Sequence, residues 1–341
     1  MNSNHSSLRI EGSNLREKEL REYYRGRGLG EDDVESAVAA VREYEGHLRA
    51  RGASLESMDI GDVKEYVSLL ISEGRNSMDR LLAIARYCYI AKKDDAYIYF
   101  TQIIGGRTVL PSISERLAHI AGEEKRDVVF EGVEAPPLGA PPEQFPRVTG
   151  LLMERLESEL DRETRRKVLA GNHHRVPVES FAKHKEWYRE AESLDQYLKK
   201  VHDGAVAELE RYLEEGKIWY EQEITPEVVE YVRGNQEVLS GVRRGDRIYM
   251  TKFPYAPGDY LRETDPLMKR YYMCHCPLAR ASILTGETEV SPEWCYCSGG
   301  YGKQKFDMVF EEETEVEVLE TVLGGDPQCR FSVKIPEGVA K

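Results

Sequence analysis

Two short cysteine elements carry most of the chemistry that this sequence offers. They are Cys274-His275-Cys276 and Cys295-Tyr296-Cys297, both in the C-terminal part of the chain. With Cys329 they account for five of the six cysteines, the sixth being Cys88. In a reducing compartment such thiols bind metals or act in catalysis more often than they pair as disulfides. In an extended segment, residues i and i+2 share a face. Read as strands, each Cys-x-Cys therefore presents two sulfurs on one side, and His275 points to the other. Four thiolates from two adjacent strands would enclose one ion tetrahedrally, and zinc is the expected metal. Such a closed shell is structural. A catalytic zinc would need water, or His173, in place of one sulfur. Without a metal, the thiolate of Cys274 or Cys276 is a nucleophile, with His173, His174 or His275 as base. The plain alternative is that these cysteines pack as small apolar residues.

Two other constellations are candidates. Gly171-Asn172-His173-His174-Arg175-Val176-Pro177 places adjacent histidines at a helix-to-loop junction. They read as a metal ligand or proton shuttle, or equally as a helix end in which Gly171 or Asn172 caps and histidine complements the dipole. Lys252-Phe253-Pro254-Tyr255 follows a strand pattern. Its Lys252 and Tyr255 are suited to hold a carboxylate or polarise a carbonyl, or else sit at a solvated strand end. The catalytic candidates are thus His173, His174, Lys252 and Tyr255. The metal candidates are Cys274, Cys276, Cys295 and Cys297. The run Ser298-Gly299-Gly300-Tyr301-Gly302-Lys303 lacks the first Walker glycine, and Gln304 follows its lysine.

The elements that must position these residues fall into two textures. Val34, Val38, Val41, Tyr44 and Leu48 recur at helical spacing, and Gly52 closes the run. A second helix carries Val63, Tyr66, Val67 and Leu70, and a third carries Leu81, Leu82, Ala85 and Tyr89. Glu134–Glu143 holds four prolines and cannot continue a helix. Helices resume with Leu152 and Leu156, with Leu194 to Tyr212, and at Thr225-Pro226. Strands are expected at Asp246–Phe253, Tyr271–Cys276, Glu315–Leu323 and Cys329–Ile335. Trp294–Cys297 reads as short and extended. Ser298–Gly302 reads as a turn, Leu278–Leu284 and Lys303–Glu311 as helices, and Gly324–Gln328 as a hairpin connection. The expected domains are a disordered tail over 1–13, a helical domain over 14–133, a Pro-rich linker over 134–146, and a Cys-rich α/β domain over 147–341.

The chain has 341 residues, 40% of them hydrophobic, and a formal net charge of −14. That supports a real core and argues against a broad nucleic-acid surface. Its start lacks an apolar run, and no stretch approaches the roughly 18 apolar residues of a spanning helix. The expected location is the cytoplasm.

Trp294-Cys295-Tyr296-Cys297-Ser298-Gly299-Gly300-Tyr301-Gly302, Val318–Asp326 and Cys329-Arg330-Phe331 resemble the family named for L-2-amino-thiazoline-4-carboxylic acid hydrolase. They are also similar to vinyl-reductase-type small-molecule-binding domains, over residues 170–337 at most. The resemblance implies an α/β ligand-binding fold and cleavage of a cyclic C–N bond in a small sulfur-containing acid. Cys274-His275-Cys276 departs from it. Tyr66–Gly74 and Leu81–Tyr89 resemble the SAM-like core-binding domain of tyrosine recombinases, but no recombinase catalytic domain follows. The expected fold is therefore α+β, a helical bundle followed by an α/β ligand-binding domain of vinyl-reductase-like type. The expected function is a thiolate-rich, zinc-binding hydrolase or lyase acting on a small polar molecule. The alternative is a metal- or ligand-binding sensor that signals through the helical domain. A DNA-associated adaptor is the third option. The helical domain is expected to form a homo-oligomer or to cover the C-terminal pocket.

Overall fold

The computed structural model describes residues 16–339. The expected tail over 1–13 lies outside them. The chain forms two compact units. The first comprises the described residues up to Gly105 together with Pro136–Pro141, and the second comprises Gly106–Ala135 and the chain from Pro142 onward. The division therefore falls at Gly105 and Gly106 rather than in the Pro-rich segment expected to form it.

The first unit is wholly helical: α1 (16–26), α2 (Glu31–Ala50), α3 (Ile60–Ser72), α4 (Met78–Ile90) and α5 (Asp94–Ile104). Local chemistry sets the ends. Asp59 accepts from the Asp62 N–H while Asp62 answers the Asp59 N–H, a reciprocal cap that opens α3. Ser77 caps α4 by accepting from the Arg80 N–H. The expected apolar stripes are buried, among them Val34, Val41, Tyr44 and Leu48 of α2 and Val63, Tyr66, Val67 and Leu70 of α3. Residues 136–141 lie along this bundle, with the Asn76 side chain donating to the Leu138 carbonyl at 2.7 Å. Gly139 has φ +88°, and a Cβ there would sit 2.9 Å from a Val67 methyl. The prolines thus build a packed strap.

The second unit mixes helices with one sheet. Its helices are α6 (Val109–Ala121), α7 (Glu123–Phe130), α8 (Phe145–Glu159), α9 (Arg162–Leu169), α10 (Ala182–Glu190), α11 (Leu194–Glu215), α12 (Pro226–Arg233), α13 (Pro257–Arg262), α14 (Pro266–Met273), α15 (Ser282–Thr285) and α16 (Tyr296–Phe310). Its strands β1 (Val242–Arg244), β2 (Arg247–Thr251), β3 (Val316–Glu320) and β4 (Arg330–Lys334) form an antiparallel sheet in the order β1-β2-β4-β3. Ile248 pairs with Val333 and Met250 with Phe331. These four share one core with Phe306 and Val309 of α16. The mixed fold, the strand ending near Phe253, the helix opened by Thr225-Pro226 and the β3–β4 hairpin agree with the sequence reading. No helix among the described residues is long and apolar enough to cross a membrane.

Two strand expectations are overturned, and both concern the cysteines. Tyr271–Met273 is the end of α14, which Asp265 caps by accepting from the Met268 N–H and which Pro266 opens. Cys274 ends that helix, and Cys276 lies in the loop beyond it. Trp294 and Cys295 belong to a 3-10 turn over Pro292–Cys295 that runs directly into α16. The glycine-rich run read as a turn is the interior of α16. Its glycines serve close packing: a Cβ on Gly299 would meet Val316 at 3.1 Å, and one on Gly300 would lie 2.5 Å from the Ala170 carbonyl carbon. The expected helix over Leu278–Leu284 is a turn followed by the short α15.

Candidate functional site

Lys252 is the residue around which the site is built. It follows β2, and its backbone N–H donates to the Cys329 carbonyl at 2.9 Å. Its ammonium donates to the Ser298 hydroxyl, in the first turn of α16, at 2.5 Å. From there its charge acts on four thiols, Cys274, Cys276, Cys297 and Cys329, and on two imidazoles, His174 and His275. Cys295 joins the same interior through Cys329, Cys274 and Cys276. The fold therefore gathers all five C-terminal cysteines, while Cys88 stays in the first unit. All six are free thiols.

Burial governs the thiols. It pushes Cys274 up to about 12, and it raises Cys295, Cys297 and Cys329 as well, because a thiolate loses its hydration in an apolar interior. Cys295 also exchanges a 2.8 Å hydrogen bond with the Thr321 hydroxyl. Cys276 differs. It alone of the five is partly exposed. Burial raises its pKa too, but the Trp294 indole N–H donates to its sulfur at 3.2 Å. The backbone N–H groups of Leu278 and Ala279 and the Lys252 charge also work against that rise. It is the thiol best furnished to become a thiolate.

The four expected metal ligands share an interior, but not as two parallel pairs. At helical spacing, positions i and i+2 diverge by about 200°, so Cys295 and Cys297 leave the start of α16 in different directions. Cys295 shares a hydrogen bond with the Thr321 hydroxyl and is influenced by Cys329, Cys274 and Cys276, whereas Cys297 is influenced by Cys276. Among the described residues, no group of three or more His, Cys, Asp or Glu side chains is placed to hold a metal ion.

The two adjacent histidines part company. His173 is fully buried. Its Nε2 lies 2.9 Å from the Val168 carbonyl oxygen and 3.3 Å from the Gly171 backbone nitrogen, and its Nδ1 shares a 3.1 Å hydrogen bond with the Ser112 hydroxyl. It completes the end of α9 and takes no part in the site. His174 is exposed, yet desolvation, helped by the Lys252 charge, holds its pKa down to about 4. Tyr301, which is 48% exposed, meets the His174 ring edge-on at 5.3 Å. Tyr255 is buried and packs edge-on against His275 at 5.3 Å, so it positions that ring.

His275 is tied to the segment that follows β2. Its Nε2–H donates to the Phe253 carbonyl at 2.7 Å, which leaves the lone pair on Nδ1. Burial, with Lys252 next, holds its pKa down to about 3, so the ring is neutral. Sequence reasoning also passed over Trp294, Ser298, Cys329 and Arg280 as site residues. Arg280 lies between the rings of Tyr255 and Tyr271, at 4.2 and 3.9 Å from their centroids. Cys329 carried a usable signal, since the hairpin reading already brought it to the end of β4.

Residues 245–339 match a family of unknown function (DUF6144). The matched segment contains Lys252, His275, Arg280 and all five clustered cysteines, and it leaves out His173 and His174. No curated protein and no solved structure matches the chain.

Proposed function

We propose that the second unit is a thiol-dependent hydrolase or lyase for a small polar molecule, with Cys276 as its nucleophile. The observation that carries this reading is the convergence of one ammonium, Lys252, on a partly exposed thiol and an accessible neutral imidazole. In the proposed reaction His174 takes the Cys276 proton as the sulfur attacks an electrophilic carbon. A C–S bond forms, the C–N bond breaks, and His174 returns the proton to the leaving nitrogen. Water then cleaves the C–S bond and restores the thiol. Lys252 stabilises the negative charge on sulfur and on the attacked group. The resemblance to the aminothiazoline carboxylate hydrolases supplies the reaction class, and a vinyl-reductase-like binding fold belongs to the same proposal.

The test is turnover of aminothiazoline carboxylate and of a panel of cyclic amides and thioesters by the wild-type chain and by Cys276→Ser. Turnover abolished in Cys276→Ser supports the enzyme. Turnover that survives the substitution refutes it.

A second reading rests on the five thiols sharing one interior. It is a zinc- or ligand-binding sensor, in which several sulfurs would turn toward one ion. Metal analysis of anaerobically purified protein separates the two. One equivalent of zinc with an unreactive Cys276 would replace the enzyme by the sensor.

A further inference from the structure

Among the described residues no large hydrophobic side chain is more exposed than Tyr220, at 71%. Its backbone is strained as well. Trp219 and Gln222 exchange both backbone hydrogen bonds at 2.9 Å, which closes a two-residue hairpin turn over Tyr220 and Glu221. Tyr220 holds the first central position, with φ +55°. That is a glycine position, and a bulky residue there is an outlier. The other non-glycine residues at positive φ, Lys92, Arg175, Leu239 and Glu311, carry no aromatic ring. Burial of the ring would offset such strain, but this ring lies in solvent. A strained residue from which the fold gains little points to a ligand.

The ring next to it gives the tip a shape. Tyr220 meets the half-buried Trp219 at 4.9 Å between centroids, with the planes 75° apart. Trp219 is fixed in turn by Phe253, edge-on at 5.4 Å, and by Glu208, which accepts its indole N–H at 2.9 Å. Two rings near a right angle make a corner, and the negative ring faces attract a cation. The surrounding charge has the same preference. Residues 208–223 carry six glutamates and two cations, Arg211 and Lys217. Both cations already pair with Glu215. The corner is poor in hydrogen-bond acceptors, because the indole has none and already engages one Glu208 oxygen. A bare ammonium, with three or more donors to satisfy, loses hydration there that the corner does not replace. An alkylated ammonium has no such loss.

We propose that Trp219, Tyr220 and Glu208 form a binding corner for the alkylated ammonium group of a small free molecule of the choline type. Two rings cover the area of one such group and fall well short of a protein interface. The inference is independent of the thiol chemistry, so Cys276→Ser should bind as the wild-type chain does.

The experiment uses the full chain with choline, with ammonium, and with dimethylbutanol, the uncharged isostere of choline, at constant ionic strength. Binding is read by calorimetry and by the upfield shift of the choline methyl resonance, which a ring face produces and a carboxylate alone does not. Choline is expected to bind, and ammonium and dimethylbutanol are not. Tyr220→Phe should keep binding. Tyr220→Leu should weaken it about 3- to 30-fold, the range of a cation–π contact. Glu208→Gln should weaken it roughly threefold, as loss of an exposed charge pair does. Tyr220→Gly relieves the backbone, so it should melt no lower than the wild-type chain while losing the ring's share of affinity. Absence of a choline shift, or undiminished binding in Tyr220→Leu and Tyr220→Gly, overturns the corner. Equal binding of dimethylbutanol overturns the cation. Tighter binding of a trimethyllysyl peptide than of choline overturns the small free molecule as occupant.

Discussion

The backbone N–H of Lys252 donates to the carbonyl of Cys329 at 2.9 Å, which carries the β2–β4 pairing one step beyond Thr251 and Arg330. That step places an ammonium where its charge acts on the thiols. Lys252→Met removes the charge while keeping the backbone bond. The nearby thiols then lose a force that favours their ionised form. Cys276 alkylation at fixed pH should slow by about three- to tenfold, as a rise of half to one pKa unit demands. Peptide mapping after timed iodoacetamide exposure measures it, and an unchanged rate would detach Lys252 from the thiol.

His173 and His174 are neighbours with opposite expectations. His173→Ala strands the buried Val168 carbonyl and Ser112 hydroxyl. Each unsatisfied group costs about 1–3 kcal/mol, so urea denaturation should show a clear loss of stability. His174→Gln removes an exposed ring and should shift stability by less than about 0.5 kcal/mol. It should nevertheless abolish turnover that depends on Cys276. The reverse pattern would exchange their roles.

One helix start was legible in the sequence: Thr225-Pro226 opens its helix as read. Asp265-Pro266 is the same signal, but the aromatic, β-prone Tyr271-Tyr272 outweighed it and suggested a strand. Ser298–Gly302 misled for a different reason. Glycine reports either a turn or a close approach, and only the Ala170 backbone beside Gly300 decides between them. Which thiols and cations converge was not legible. The Lys252–Cys329 bond and the Arg280 stack join residues far apart in sequence.

Gly300 and Gly302, in one helix, make a controlled pair. A Cβ at 300 would lie 2.5 Å from the Ala170 carbonyl carbon and 2.7 Å from the Gly171 oxygen, both backbone atoms. Gly300→Ala should therefore cost about 1–3 kcal/mol or more. A Cβ at 302 meets only the Met250 methyl at 3.5 Å, an ordinary contact. Gly302→Ala should stabilise by about 0.4–1 kcal/mol through the unfolded chain and helix propensity. Thermal melts of the two variants check both signs.

Stability should fall with pH earlier than carboxylate protonation alone would cause. Desolvation holds His173, His174 and His184 down to about 4 and His275 to about 3. Between the unfolded value near 6.5 and those folded values, the unfolded chain binds protons that the folded chain refuses. Unfolding free energy therefore rises with pH across this window and is lost on descending it. His173 is fully buried, and it should contribute a slope approaching about 1.4 kcal/mol per pH unit between pH 6 and pH 4. Carboxylates such as Glu293 and Glu237, whose pKa values lie below the usual range, add their loss only below about pH 4.5. Urea titrations at pH 7, 6, 5 and 4.5 should show the decline beginning above pH 5. In His173→Gln the slope should fall by one histidine's share, and an unchanged slope would mean that His173 is protonated in the folded chain.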